Sequence, residues 1–168
     1  MVAFSVGPRG LRRLLLPGPQ QTELLAWIRD DNSHPVHDPK LWLPFQKKLK
    51  RYFDGHRVNF DERIDVRDCT AFSVSVYRRC RKVRRGQAIS YGALARAVGR
   101  PKAPRAVGVA LSRNPCPLVV PCHRIVAGDG SLGGFSASAG VSLKRRMLAR
   151  EGGVGLLPGR SDSAGDRQ

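Results

Sequence analysis

The sequence predicts an α/β segment over residues 1–68 and a mainly helical segment over residues 69–152 built around a helix-turn-helix, with a tail over 153–168. Three observations predict this layout. Two β-compatible runs near the start, VAFSV and LRRLLL, are joined by the turn signal Gly7-Pro8 and closed by Pro17-Gly18-Pro19. Beyond Cys69, apolar residues recur at spacings of three and four between glycines and prolines, the texture of consecutive short helices. The last stretch, GVGLLPGRSDSAGDRQ, has no period and is expected to be disordered. A chain of 168 residues is long enough to bury a real core.

Taken in order, QTELLAWIRDD (21–31) has helical spacing, and SHPVHDPK (33–40) is a proline-broken loop whose His34 and His37 are expected in solvent. In WLPFQKKLKRYFDG, Phe45, Leu49 and Tyr52 or Phe53 form one apolar stripe, which predicts an amphipathic helix closed by Gly55. Phe60, Ile64 and Val66 suit a short strand. AFSVSVYRRCRKV places Phe72, Val76 and Cys80 or Val83 on one stripe, so Cys80 is expected in the core, with Gly86 ending the segment. ISYGALARAVG offers Ser90 as N-cap, turns Leu94, Ala95 and Val98 inward, and stops at Gly99. Pro104 then suits the first turn of the next helix, PRAVGVALSRN.

These two helices are a helix-turn-helix in outline. Ala106, Gly108 and Ala110 are small residues near the start of the second, and on an exposed face they would let it lie close to a nucleic-acid backbone. Arg105 projects from its first turn, and Arg105, Arg113 and Arg124 are expected at the DNA surface with Ala106, Gly108 and Ala110. PLVVPCHRIV reads as a buried strand interrupted by Pro121. AGDGSLGGFSASAG is a glycine- and serine-rich loop, and VSLKRRMLAREG is a helix with Leu143, Met147 and Leu148 inward and Glu151 near its end.

Thirty Lys and Arg against thirteen Asp and Glu give a net charge of +17, a field that attracts polyanions, nucleic acid first among them. The run RRCRKVRR (78–85) alone carries six basic residues in eight positions. No apolar run approaches the ~20 residues that cross a bilayer, and the arginines near the start lie inside the apolar stretch rather than before it. The expected location is the cytoplasm, on the nucleoid if the source is bacterial.

Cys69, Cys80, Cys116 and Cys122 are spaced 11, 36 and 6 apart, without a CxxC pair or a histidine at finger spacing, so no metal site is predicted. In a reducing compartment they are thiols, each a matter of packing or of chemistry. Cys122 lies in VVPCHRIV with His123 beside it. A free thiol is only a few per cent thiolate at neutral pH and needs a base or a positive field to act as a nucleophile. Neighbours on an extended strand point to opposite faces, so His123 serves Cys122 only if Pro121 bends the chain or a water bridges. A base in turn needs an orienting group, for which Glu151 and Asp129 are the nearby acids. From spacing alone, a buried cysteine beside a structural histidine remains open.

The stretch ISYGALARAVGRPKAPRAVGVALSRNPCPLVVPCHRIVAGDGSLGGF, followed by LKRRMLAREG, resembles the O6-alkylguanine-DNA alkyltransferases, also called methylated-DNA–protein-cysteine methyltransferases. The elements SYG, RAVG, NP, PCHR and K-x-x-M-L-x-x-E-G stand in family order and at family spacing, strongly over 69–152 and weakly back toward residue 45. The resemblance implies a ribonuclease-H-like N-terminal α/β domain and a C-terminal domain with a winged-helix-like helix-turn-helix. It implies a monomer that binds duplex DNA carrying O6-alkylguanine through the minor groove, rotates the damaged nucleotide into a pocket, and moves the alkyl group irreversibly to its own cysteine without a cofactor or metal. O4-alkylthymine is a further candidate substrate.

By that resemblance Cys122 is the nucleophile, its proton leaving through a water, His123 and Glu151. Tyr91 assists the departing guanine, Asn114 shapes the site by hydrogen bonds near the cysteine, and Arg105 fills the place of the extruded base. The carbonyls of Cys122 and Ile125 would accept from the guanine amino group, and the Ser136 N–H would meet O6. Phe135 stands where the family commonly has a tyrosine, which keeps the pocket wall and loses the hydroxyl. The loop after it is about two residues longer than in close relatives, Arg84-Arg85 replace an isoleucine-proline pair, and the N-terminal part is short by about one strand. Two other classes remain: an alkyltransferase-like lesion binder without transfer, against which Cys122 itself speaks, and a regulatory DNA-binding module, for which no partner domain is visible.

Overall fold

The computed structural model describes residues 2–17, 38, 40–135 and 140–152. The readings of a helix at 21–31, of a loop with His34 and His37, and of a disordered 153–168 tail lie outside these residues.

Ala3–Gly7 (β1) and Gly10–Leu15 (β2) pair antiparallel across the Gly7-Pro8 turn. Gly10 has φ +122, and a Cβ there would lie 2.3 Å from the Arg63 carbonyl oxygen, so only glycine lets the hairpin sit against that strand of chain. The contact is a ladder of two bonds, Leu11 N–H to Arg63 O and Asp65 N–H to Leu11 O, each 2.8 Å. It corrects the strand predicted over Phe60 to Val66: that chain makes a single bridge, Leu11 to Ile64, because its apolar side chains insert between elements instead of alternating across a sheet.

Helix α1, Leu43–Phe53, buries the predicted stripe Phe45, Leu49 and Tyr52. Together with Leu11, Leu14 and Leu16 of the hairpin it packs on Cys116, Leu118, Val119, Leu143 and Met147, so residues from both ends of the chain share one core. A second core joins Val76, Tyr77 and Cys80 of α2 (Ala71–Cys80), Leu94 and Ala95 of α3 (Tyr91–Ala97), Val107, Ala110 and Leu111 of α4 (Pro104–Ser112), and Cys122. Helices α3 and α4 are the helix-turn-helix. The Ser90 hydroxyl caps α3 by accepting from Ala93 N–H, Gly99 follows it at φ +73, and Pro104 occupies the first turn of α4. The Tyr77 hydroxyl donates to Ala110 O across α2 and α4 at 2.9 Å.

A short parallel pair, Ile89–Ser90 (β3) with Ile125–Val126 (β4), ties the start of α3 to the segment that follows the cysteine. Helix α5, Gly140–Arg150, closes the molecule with Leu143, Met147 and Leu148 inward, and with Lys144 fully buried beside them. No helix among the described residues is long and apolar enough to cross a membrane.

Candidate active site

The cysteine does not lie on a strand. Pro121 has φ −78 and ψ 61, and Cys122 N–H donates to Val120 O at 2.8 Å, an inverse γ-turn. Cys122–Arg124 then form one turn of 3-10 helix that runs into β4. The predicted buried strand is therefore corrected over 117–124: proline brings no N–H to a ladder, and its fixed φ suits the turn. Leu118, at φ 73 and buried, holds a left-handed conformation that costs a branched residue about 1–2 kcal/mol and is retained by the packing around it. The bend supplies the condition under which Cys122 and His123 can serve one site.

Cys122 lines a cavity of about 360 Å³ together with Tyr91, Gly108, Leu111, Ser112, Gly134 and Phe135. Helix α4 thus contributes one wall, the first residue of α3 a second, and the loop after β4 a third. Gly133, at φ +61, lies against the Tyr91 ring, where a Cβ would sit 3.4 Å from Cε2. Asn114 Nδ2 donates to Sγ at 3.2 Å and to Val120 O at 2.9 Å, while its Oδ1 accepts from Cys116 N–H at 3.0 Å. Burial pushes the Cys122 thiol up, and the Asn114 amide, the Lys144 charge and the backbone N–H groups of Cys122 and His123 pull the other way. The balance is a thiol at neutral pH.

The next residue, His123, is fully buried and its Nε2 lies 3.0 Å from Glu151 Oε1. Burial holds the imidazole below its ordinary pKa, against the pull of Glu151. A neutral ring must donate from Nε2 to the carboxylate, which leaves Nδ1 as the basic nitrogen. That nitrogen is buried and has no protein hydrogen-bond partner among the described residues. Glu151 also accepts from Arg124 Nε (Oε2, 2.7 Å), Arg124 Nη2 (Oε1, 3.0 Å) and the Tyr52 hydroxyl (Oε1, 3.2 Å). Burial raises its pKa, but the bonds from His123 and Arg124 outweigh that and hold it at about 2.

Several site residues stand elsewhere than the sequence suggested. Arg124, expected at the DNA surface, is turned inward: its fork grips Glu151, and Nη1 donates to Val83 O at 2.7 Å. Ala110 is buried with Val107 and Leu111, because helical spacing of three and four, not two, decides which side chains share a face. Arg105, Ala106 and Arg113 are exposed and Gly108 is half-buried. Val109, 53% exposed on the same helix, joins that outer face without having been singled out. The Cys122 carbonyl accepts Ile125 N–H, and the Ile125 carbonyl accepts from Lys144 Nζ at 2.6 Å, each oxygen keeping a second lone pair. Ser136 lies outside the described residues.

Two further residues were missed. Lys144 donates to the carbonyls of Ile125 and Leu132, lies 5.7 Å from the centre of the Tyr91 ring, and is pushed down to about 8 by burial. Its signal was its place on the inward stripe with Met147, Leu148 and Glu151. Tyr52 was seen as core, but nothing in the sequence indicated a partner 99 residues away. No group of three or more potential metal ligands occurs among the described residues, and the four cysteines are free.

A cysteine at the wall of a cavity, backed by a buried His–Glu pair and set against a helix-turn-helix, defines a protein that presents a nucleophilic thiol beside a nucleic-acid-binding element. The family described as 6-O-methylguanine DNA methyltransferase, DNA binding domain, matches residues 71–153. The methylated-DNA–protein-cysteine methyltransferase of Metallosphaera sedula is 49% identical over 113 residues, covering 67% of this chain and 69% of that protein. The protein of the same name from Saccharolobus solfataricus is 40% identical over 124 residues, 74% of this chain and 73% of its own. Among solved structures, Mycobacterium tuberculosis OGT in complex with DNA superposes with a TM-score of 0.74 at 30% identity, over 90% of this chain and 86% of that one. The O6-methylguanine-DNA methyltransferase of Pyrococcus kodakaraensis gives 0.67 at 29% identity, over 90% and 99%. The chain belongs to the methylated-DNA–protein-cysteine methyltransferase family.

Proposed function

We propose that this protein repairs DNA by direct reversal, taking the alkyl group from O6-alkylguanine in duplex DNA onto Cys122 and being consumed in one turnover. The observation that carries the reading is that Cys122 lines a cavity with Tyr91 and Phe135 while the next residue, His123, is buried against Glu151. As the S–C bond forms and the C–O6 bond breaks, the thiol proton passes to His123 Nδ1, directly or through one water. Glu151 stabilises the imidazolium that results. Tyr91, whose hydroxyl keeps its proton because burial raises its pKa, gives that proton to the departing guanine ring and recovers one from the imidazolium. The products are a thioether and an intact guanine, and a thioether is not a leaving group.

The outer face of α4, with Arg105, Ala106, Val109 and Arg113, is the surface laid in the groove, Arg105 taking the place of the extruded base. The high net charge supplies sequence-indifferent phosphate affinity. The ribonuclease-H-like character of residues 1–68, the winged-helix character of 69–152 and a cytoplasmic location belong to the same reading. The experiment mixes the protein with a duplex bearing one O6-methylguanine and locates the methyl by fragment-ion mass spectrometry, with Cys122→Ser as control. One methyl on Cys122, at one per protein, is expected. Tight lesion binding with no methyl on any cysteine would overturn the transfer reaction.

A further inference from the structure

We propose that Tyr52 of helix α1 is a positioning residue of the transfer relay, holding the Glu151 carboxylate in competition with His123. The proposal rests on the reading of Cys122, His123 and Glu151 given above.

Three donors converge on Glu151 Oε1: His123 Nε2 at 3.0 Å, Arg124 Nη2 at 3.0 Å and the Tyr52 hydroxyl at 3.2 Å. A carboxylate oxygen has about two good acceptor directions, so the three share one pool of electron density. Tyr52 does not approach by chance. It is 1% exposed on the last turn of α1, and its ring is clamped edge-on by Phe53 (5.3 Å) and Phe60 (5.7 Å). The end of the same helix is tied to α5 by Arg150 Nη1, which donates to Phe53 O, so the two residues before Gly152 both meet the last turn of α1. Burial and the Glu151 charge keep the Tyr52 hydroxyl protonated, hence a donor at every pH of interest.

The charged groups around His123 are Lys144 from α5, Glu151 just past its end and Arg124 from the 3-10 turn, and Arg85 and Arg124 face Tyr52. Both cations near His123 disfavour its protonation, and only Glu151 favours it. The strength of the Tyr52 bond to Oε1 therefore sets how much of that carboxylate His123 feels. A stronger donor at position 52 weakens the imidazolium and a weaker one strengthens it. The relay thus extends outside residues 71–153, and α1 takes part in the chemistry as well as in the core.

The test uses the full chain. Methyl transfer from the O6-methylguanine duplex is followed in single turnover from about pH 5 to pH 9, and the His123 ring is titrated by NMR in the free protein. Tyr52→Phe removes the donor and keeps the ring, and its expected result is an acid limb and a His123 pKa both raised by about half a unit to one unit. Transfer on the alkaline plateau stays within about threefold. Incorporation of 3-fluorotyrosine at position 52, a stronger donor of nearly the same shape, is expected to move both in the opposite direction, and it serves if Tyr52→Phe folds poorly. A residue that only fills the core would lower the melting temperature and leave both pH readouts in place, which would overturn the proposal. If the unmodified protein transfers no methyl, the functional reading fails, whereas the NMR titration still decides whether Tyr52 tunes His123.

Discussion

Replacing Glu151 with glutamine removes the charge on which His123, Arg124 and Tyr52 all converge. The carboxyl is held at about 2 in the fold against 4.5 for an unperturbed glutamate, and its side chain is 1% exposed, so solvent screening is slight. At about 1.4 kcal/mol per unit, that depression contributes about 3 kcal/mol of stability at neutral pH. Because the folded pKa is the lower one, the contribution is complete above the unfolded value and is lost as pH falls through 4.5 toward 2. Glutamine also sets an amide N–H against a donor from Arg124 and leaves that part-buried guanidinium without its anion, which adds to the loss by up to about 3–5 kcal/mol, the value found when one partner of a fully buried pair is removed. Urea denaturation at pH 7 is therefore expected to show Glu151→Gln less stable by at least about 3 kcal/mol, with the gap narrowing below pH 4.5. A gap under about 1 kcal/mol at pH 7, or one unchanged near pH 2.5, would refute the reasoning.

Asn114→Ala removes the amide from Sγ, strands the Cys116 N–H and leaves the Val120 carbonyl with the Cys122 N–H alone. Transfer at pH 7 should fall about tenfold, with its pH optimum moved upward, and stability should drop by about 2 kcal/mol in the same urea assay. Gly108→Ala adds a Cβ 3.9 Å from the Tyr91 ring, which fits and removes a helix glycine, so its stability should rise by up to about 1 kcal/mol. Gly108→Leu should fill part of the cavity and slow benzyl transfer far more than methyl transfer in a competition assay. Val109→Glu puts a negative charge on the outer face of α4. It should weaken binding to an undamaged duplex about tenfold at low salt, read by fluorescence anisotropy, and leave methyl transfer at saturating DNA unchanged. Iodoacetamide should label Cys122 at pH 7 more slowly than free cysteine, and more slowly still in Lys144→Met, because burial raises the thiol and Lys144 opposes that rise.

Local chemistry made most of the frame legible in the sequence. The hairpin turn at Gly7-Pro8, the Ser90 cap, Gly99 and Pro104 each act on the backbone within a few residues, and each lies where it was read. The apolar stripes of α1, α2 and α5 were equally local. The errors came where the outcome depends on distant partners or on a rule of a different range. Phe60 to Val66 looked like a strand, but what the hairpin needed there was two backbone bonds beside Gly10. The run before the cysteine looked like a buried strand until Pro121 set a γ-turn. Arg124 looked like a surface cation because its acceptors, Val83 O and Glu151, come from segments 41 and 27 residues away.

The buried thiol raises a question that the arrangement answers. A cysteine used once gains nothing from being reactive before its substrate arrives, since a standing thiolate is open to oxidation and to stray electrophiles. Here burial keeps Cys122 protonated, outweighing the groups that favour ionisation (the Asn114 amide, the Lys144 charge and two backbone N–H groups). The base is weak at rest as well, because burial holds the His123 pKa down and its partner Glu151 is shared with Arg124 and Tyr52. Ionisation becomes favourable when an alkyl carbon lies against the sulfur, so that the developing charge passes into the bond being formed while the proton moves to Nδ1. The shared carboxylate thus sets a threshold. With fewer donors on Glu151, His123 would be more basic but already protonated at lower neutral pH; with more, it could not take the proton. Tyr52 and Arg124 are the two residues in a position to set that balance, one from the N-terminal helix and one from the turn that carries the cysteine.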